Sequence, residues 1–130
     1  MLSLGMTLRL ELFVDDLDVA IAFYSRVLGF QPIRKEADYA SLRNGAVILG
    51  LGPTAKLPAT GGYFTQVRLQ GQRGVGVEIV LEVDDVHAAY QQVLAAGASI
   101  VDPLVAQPWG LTDFRLTDPD GYYLRITSKR

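Results

Sequence analysis

The sequence predicts an α+β fold in which one unit, strand–helix–strand–hairpin, is built twice. Two observations carry this. The segments "LRLELFVDDLDVAIAFY" (8–24) and "VEIVLEVDDVHAAY" (77–90) share an alternating apolar and charged run, a Val-Asp-Asp corner, and then apolar residues at helical spacing. Their corners, Val14-Asp15-Asp16 and Val83-Asp84-Asp85, are separated by 69 residues. Each half also carries a tight-turn signal between apolar segments: Asn44-Gly45 in "YASLRNGAVILGL" and Asp120-Gly121 in "FRLTDPDGYYLRI". Both dipeptides favour the positive φ of a two-residue hairpin turn.

The elements follow in order. A first strand is expected at 7–14, a helix from Asp16 to Leu28, an extended piece at 31–35 and a hairpin over 39–51. The second half gives a strand at 77–83, a helix from Asp85 to Ala96 and a hairpin over 113–127. One Asp of each corner is expected to cap its helix, because its carboxylate accepts the orphan N–H groups of the first turn. All four corner acids therefore read as capping or solvated residues. Gly29 and Gly97 close the helices, where a left-handed residue is useful. Between the halves, "GPTAKLPATGGYFTQVRLQGQRGVG" is rich in Gly and Pro and reads as a linker, with a short extended piece at 63–69. It must cross the open face of a sheet, the kind of segment that often carries function.

The 130 residues suit one domain. It divides into an N-terminal module of about 7–51, a linker of about 52–75 and a C-terminal module of about 76–127. The formal charge of −2, with cations scattered, gives no electrostatic footprint for nucleic acid. No apolar run approaches the ~20 residues that span a bilayer. The start, "MLSLGMTLRLELFVDD", lacks a basic n-region and meets acids early, so it reads as a short tail before a strand. A cytoplasmic location is expected. With no cysteine, disulfides, thiolate nucleophiles and Cys-ligated metals are excluded. The one histidine, His87, falls in the first turn of the second helix and reads as solvated.

Period-2 alternation divides each strand into two faces. Leu8, Leu10, Leu12 and Val14 are expected under the first helix, and Val77, Ile79, Leu81 and Val83 under the second. Tyr122, Leu124 and Ile126 in the last strand, and Val47, Leu49 and Leu51 in the first hairpin, follow the same pattern. The opposite face collects Arg9, Glu11, Glu78, Glu82, Arg115 and Arg125 with Phe13 and Tyr123. Leu49 and Leu51 are also expected on that side. Such charges cannot be buried dry unless they pair. Two half-apolar sheets curving toward each other would make a cleft lined by both kinds of group, as in a small-molecule pocket. A partner subunit could cover the same face.

The tandem "LELFVDDLDVAIAFYSRVLGF" and "VEIVLEVDDVHAAYQQVLAAGASIV", closed by "PWGLTDFRLTDPDGYYLRI", resembles the vicinal oxygen chelate superfamily. That group includes glyoxalase I, extradiol dioxygenases, fosfomycin-resistance enzymes and bleomycin-resistance proteins. The resemblance runs from Thr7 to Thr127. It implies two tandem βαβββ modules forming a cup-shaped, incomplete barrel, commonly assembled as a homodimer. It does not imply a reaction, since one fold hosts many chemistries. Metal-dependent members place ligands at four strand positions. Two lie five residues before each corner Val, here Arg9 and Glu78, where His or Gln and then His are usual. The third and fourth, usually Glu, correspond to Leu49 (aligning Gly45 with Gly121) and Arg125. A guanidinium has no lone pair to offer, so no metal and no cofactor are expected. An ion cluster of Glu78 with Arg9 and Arg125 is expected in the metal's place.

A cup without its metal is read first as a binder that sequesters a planar or polar organic compound, as bleomycin-resistance-like proteins do. Arg9, Glu11, Phe13, Leu49, Glu78, Glu82, Trp109, Arg115, Tyr123 and Arg125 are the expected lining, with Tyr63 and Phe64 of the linker as further stacking surfaces. The first strand lacks the proline of domain-swapping bleomycin binders, and acids do not dominate the lining. Bleomycin itself is therefore not the expected ligand. The alternative is a metal-free, glyoxalase-like lyase or isomerase, or a dioxygenase relative. Its acid or base would be Glu78, or else Glu11, Glu82, Tyr39 or Tyr123. A carboxylate between guanidiniums makes a weak base, whereas a buried one with incomplete pairing makes a competent base. A regulatory module acting through a dimer surface ranks third.

Overall fold

The alternation in "RLELFV" becomes strand β1 (Arg9–Val14), whose Leu12 and Val14 are buried under helix α1 (Leu17–Arg26). The computed structural model describes residues 4–130, so the first three residues of the expected tail lie outside it. Asp16 caps α1, accepting a 3.1 Å hydrogen bond from the Val19 N–H, and Gly29 follows the helix at φ +72°. Leu17, Ala20, Tyr24 and Val27 recur at three- and four-residue spacing and form the buried stripe. Strands β2 (Gln31–Glu36), β3 (Tyr39–Asn44) and β4 (Val47–Pro53) complete a sheet of order β1-β4-β3-β2, with β1 parallel to β4.

The second half repeats the unit. Strand β5 (Ile79–Val83) leads to helix α2 (Val86–Ala95), which Asp85 caps through the Ala88 N–H. Gly97 follows it at φ +75°. Strands β6 (Ile100–Ala106), β7 (Thr112–Thr117) and β8 (Tyr123–Ser128) give the order β5-β8-β7-β6. Two βαβββ modules are thus present, and neither sheet closes on itself.

Three local expectations are corrected. Asp120-Gly121 is not a two-residue turn, because β7 ends at Thr117 and β8 begins at Tyr123. The intervening loop wraps around Asp118, whose Oδ1 accepts the N–H groups of Asp120 and Tyr122, each at 2.9 Å. The linker piece at 63–69 is a series of turns, not an extended segment. Thr65 accepts the Arg68 N–H through its hydroxyl and the Leu69 N–H through its carbonyl. Strand β5 starts at Ile79 because a turn bonds the Val77 N–H to the Gly74 carbonyl, which leaves Val77 exposed. Leu8, ahead of β1, is exposed as well.

One hydrophobic core draws on both halves, including Leu12, Tyr24, Leu42 and Leu51 from the first and Val93, Phe114, Leu116 and Ile126 from the second. Polar ties join the halves on the helix-bearing side. Gln92 Nε2 of α2 donates to the Val27 carbonyl at 3.4 Å, and the Tyr24 hydroxyl donates to Asp118 at 2.6 Å. The Asp15 N–H donates to Asp120 at 2.7 Å, and the Tyr122 hydroxyl to the Phe13 carbonyl at 2.8 Å. The opposite faces of the two sheets carry the polar side chains.

Candidate functional site

Strand register fixes which residues share the helix-free face. In the first sheet Arg9 lies opposite Ile48, Leu10 opposite Leu49 and Glu11 opposite Gly50. In the second, Ile79 lies opposite Leu124 and Val80 opposite Arg125. Leu10–Leu49 therefore corresponds to Ile79–Leu124, and the counterpart of Arg125 is Gly50. Leu49 is 3% exposed and belongs to the core, so its placement in the cup is corrected by one residue. Leu51, fully buried in the same core, leaves the cup face with it. The longer 118–122 loop had shifted the alignment of the two glycines.

On the first sheet, Arg9 Nε stands 3.0 Å from Glu11 Oε1. The expected Arg9–Glu78 contact is replaced by this pair, because residues two apart on one strand share a face and are nearest neighbours there. The Tyr39 hydroxyl donates to both Glu11 oxygens at 3.0 and 3.1 Å. Burial, together with the Glu11 carboxylate, pushes the Tyr39 phenol up. Gly50 makes this pairing possible, since a Cβ there would collide with the Glu11 carboxylate and the Tyr39 hydroxyl. Further along β1, Phe13 packs on Phe64 of the linker with ring centroids 4.5 Å apart. Tyr63 meets Phe64 edge-on at 5.1 Å, and the Arg68 guanidinium lies 4.8 Å over the Tyr63 ring.

The second sheet carries the ion cluster. Glu78 stands 3.2 Å from Arg125 and 3.6 Å from Arg115. Asp113, 1% exposed, lies 3.9 Å from Arg125 and 4.0 Å from Arg115 through Oδ2, while its Oδ1 accepts a 2.8 Å bond from Gln107. Asp102 reaches Arg115 at 3.9 Å. Tyr123 shares this face, and burial pushes its phenol up. Glu82 and Val80 are exposed on the neighbouring strand. Trp109, 56% exposed, sits in the β6–β7 turn. Of the expected lining, Arg115 joins Glu78 and Arg125, Phe13 joins the linker aromatics, and Glu82 and Trp109 stand apart from the ion cluster. Asp113, Asp102 and Gln107 were missed. The signal was available for Asp113, which shares the parity of Arg115 in "TDFRLT".

Two open sheets, each backed by a helix and presenting a face of paired charges and aromatics, define a tandem βαβββ cup protein. The chain belongs to the Glyoxalase/Bleomycin resistance protein/Dioxygenase superfamily, whose family model matches residues 7–126. A protein of Vibrio parahaemolyticus named probable lactoylglutathione lyase is 30% identical, over 99% of this chain and 94% of its own length. Among solved structures, TioX from Micromonospora sp. ML1 is 28% identical with a TM-score of 0.74, covering 95% of this chain and 98% of that one. A glyoxalase/bleomycin resistance protein/dioxygenase from Nocardioides superposes with a TM-score of 0.77 at 22% identity, covering 98% and 85%.

The positions that the resemblance to metal-dependent members singles out are, by strand register, Arg9, Gly50, Glu78 and Arg125. They do not fit a divalent cation. Two are guanidiniums without a lone pair, one has no side chain, and the single carboxylate is engaged by two arginines. Among the described residues, no helix is long and apolar enough to cross a membrane.

Proposed function

We propose that this chain binds a small, partly aromatic organic molecule in its cup and sequesters it without a metal and without chemistry. The observation that carries this reading is the Glu78 carboxylate, held by Arg115 and Arg125 where a metal-dependent relative would collect ligands for an ion. The Phe13–Phe64–Tyr63 group supplies an aromatic wall, and Trp109 a second stacking surface. Arg9, Glu11, Glu82, Arg115, Tyr123 and Arg125 complete the polar lining. The protein acts in the cytoplasm as a homodimer, and a second copy covers the exposed Leu8, Val77 and Val80 beside Glu78. Sequestration of this kind would protect a cell from an aromatic antibiotic.

The test combines elemental analysis with thermal-shift screening against aromatic natural products. The expected result is no stoichiometric metal, plus a ligand that raises Tm and is recovered intact. A ligand at 100 times its Kd adds about 2.7 kcal/mol, ample for detection. Tight stoichiometric zinc, nickel, manganese or iron would sink the proposal. Light scattering of the purified chain checks the dimer.

The relative named probable lactoylglutathione lyase favours a second reading, a metal-free lyase or isomerase with Glu78 as acid or base. Turnover of a bound ligand, abolished in Glu78→Gln while binding persists, would establish it over sequestration.

A further inference from the structure

Arg115 and Arg125 lie directly opposite each other in the antiparallel β7–β8 ladder. Like charges in that register repel, so the pair depends on the carboxylates around it. Those carboxylates are not equivalent. Asp113 is a fixed counter-charge: it is buried and tethered by Gln107, and its Oδ2 has no hydrogen-bond partner. At 3.9 and 4.0 Å from the two guanidiniums it neutralises them from behind without occupying their N–H groups. Asp102 approaches Arg115 from solvent, with its side chain half exposed. Glu78 lies just ahead of β5 with 36% of its side chain exposed, and it alone comes as close as 3.2 Å.

The arginines are 22% and 23% exposed, and the Nε of each is buried without a hydrogen-bond partner. A guanidinium presents five N–H donors in a planar fork that matches a carboxylate. Two such forks side by side, with a buried, tethered anion behind and a partly exposed carboxylate in front, make a carboxylate receptor filled by the protein's own side chain. We propose that ligands enter the cup through a carboxylate group, which takes the place of Glu78 between Arg115 and Arg125. This rests on the reading of the cup as a ligand site. With Glu78 displaced, and with the half-exposed Asp102 screened by solvent, Arg115, Arg125 and the buried Asp113 together carry one net positive charge. A single carboxylate restores neutrality, whereas a phosphate dianion would leave one negative charge in excess beside Asp113.

Glu78 is then an internal competitor, and removing its charge must strengthen binding. A catalytic base or a direct ligand contact would show the opposite sign or no change. The test titrates benzoate and benzamide, which share a ring and differ in the charged group, into wild type and Glu78→Gln. The arginine Nε–H resonances are followed by NMR. Benzoate is expected to shift the Arg115 and Arg125 signals and to bind Glu78→Gln roughly five- to tenfold more tightly, the worth of about one ordinary hydrogen bond. Benzamide is expected to gain nothing. Equal or weaker benzoate binding in the variant, no benzoate shift in either protein, or equal tightening of benzamide overturns the proposal. If neutral aromatics bind wild type while Glu78→Gln leaves benzoate no tighter, the cup reading stands and the clamp falls. If no aromatic compound, acidic or neutral, binds either protein, both fall.

Discussion

The phenol of Tyr24, on helix α1, donates a 2.6 Å hydrogen bond to Oδ2 of Asp118, at the head of the loop that joins the last two strands. Both groups are buried, and the bond ties the first module to the second. Tyr24→Phe removes one hydrogen bond to a charged acceptor and is expected to cost about 1.5–3 kcal/mol. Asp118→Ala is expected to cost more, because the Tyr24 hydroxyl and the N–H groups of Asp120 and Tyr122 all lose their acceptor. Urea denaturation of the two variants and their double mutant checks this, and a coupling energy near zero would refute the tie.

The same bond sets an alkaline limit. Burial, then the neighbouring Asp118 charge, pushes the Tyr24 phenol far above its ordinary value of 10.0, and burial also raises Tyr122. Above about pH 10 the unfolded chain releases these protons while the native state keeps them. Native protein then binds more protons than unfolded protein, so stability present below that pH is lost as pH rises. The expected result is a urea midpoint that falls beyond about pH 10, with a shallower decline in Tyr24→Phe. Identical slopes in the two proteins would show that Tyr24 does not carry the effect.

Gly50 serves a close approach, not an unusual backbone angle, since its φ is not positive. Gly50→Ala pushes out two flexible side-chain ends, the Glu11 carboxylate and the Tyr39 hydroxyl, so the fold is expected to survive at a cost of about 1 kcal/mol or less. The Tyr39 phenol, raised by burial and by Glu11, is expected to titrate nearer the ordinary tyrosine value. Absorbance titration, with Tyr39→Phe to assign the signal, reads this shift.

The repeated corner made the fold legible, because Asp caps, closing glycines and period-2 faces are local properties of the chain. The cup face of β1, β5 and β8 was legible for the same reason, and Arg9, Glu11, Glu78, Tyr123 and Arg125 are where alternation puts them. Partners were not. Alternation gives Arg9 and Glu78 equivalent positions and sets Glu11 beside Arg9, but only strand order and register show that Arg115, opposite Arg125, reaches Glu78 while Arg9 does not. The core position of Leu49 is signalled by its own strand, since it shares parity with the fully buried Leu51 and with Val47, which packs against the core. The linker was opaque because its shape comes from turn hydrogen bonds and from contacts to residues as distant as Phe13.

Arg73 is the clearest of those linker contacts. Its side chain is 8% exposed and donates to the Phe13 carbonyl at 2.9 Å, the Leu69 carbonyl at 2.8 Å and the Asp15 carboxylate at 2.6 Å. The hydrogen bond from Arg73 holds the Asp15 carboxyl below its ordinary value of 3.8. A depressed acid contributes stability above its unfolded pKa, lost as pH falls through the folded one, so this tie weakens in acid. Arg73→Met keeps the apolar stem but removes all three bonds. The linker is then expected to lift from the first module, taking Phe64 off Phe13 while both sheets remain folded. Hydrogen exchange should accelerate across 58–76 and at the end of β1, and aromatic ligands should bind more weakly. Unchanged exchange there would mean that the Phe13–Phe64 contact alone holds the linker in place.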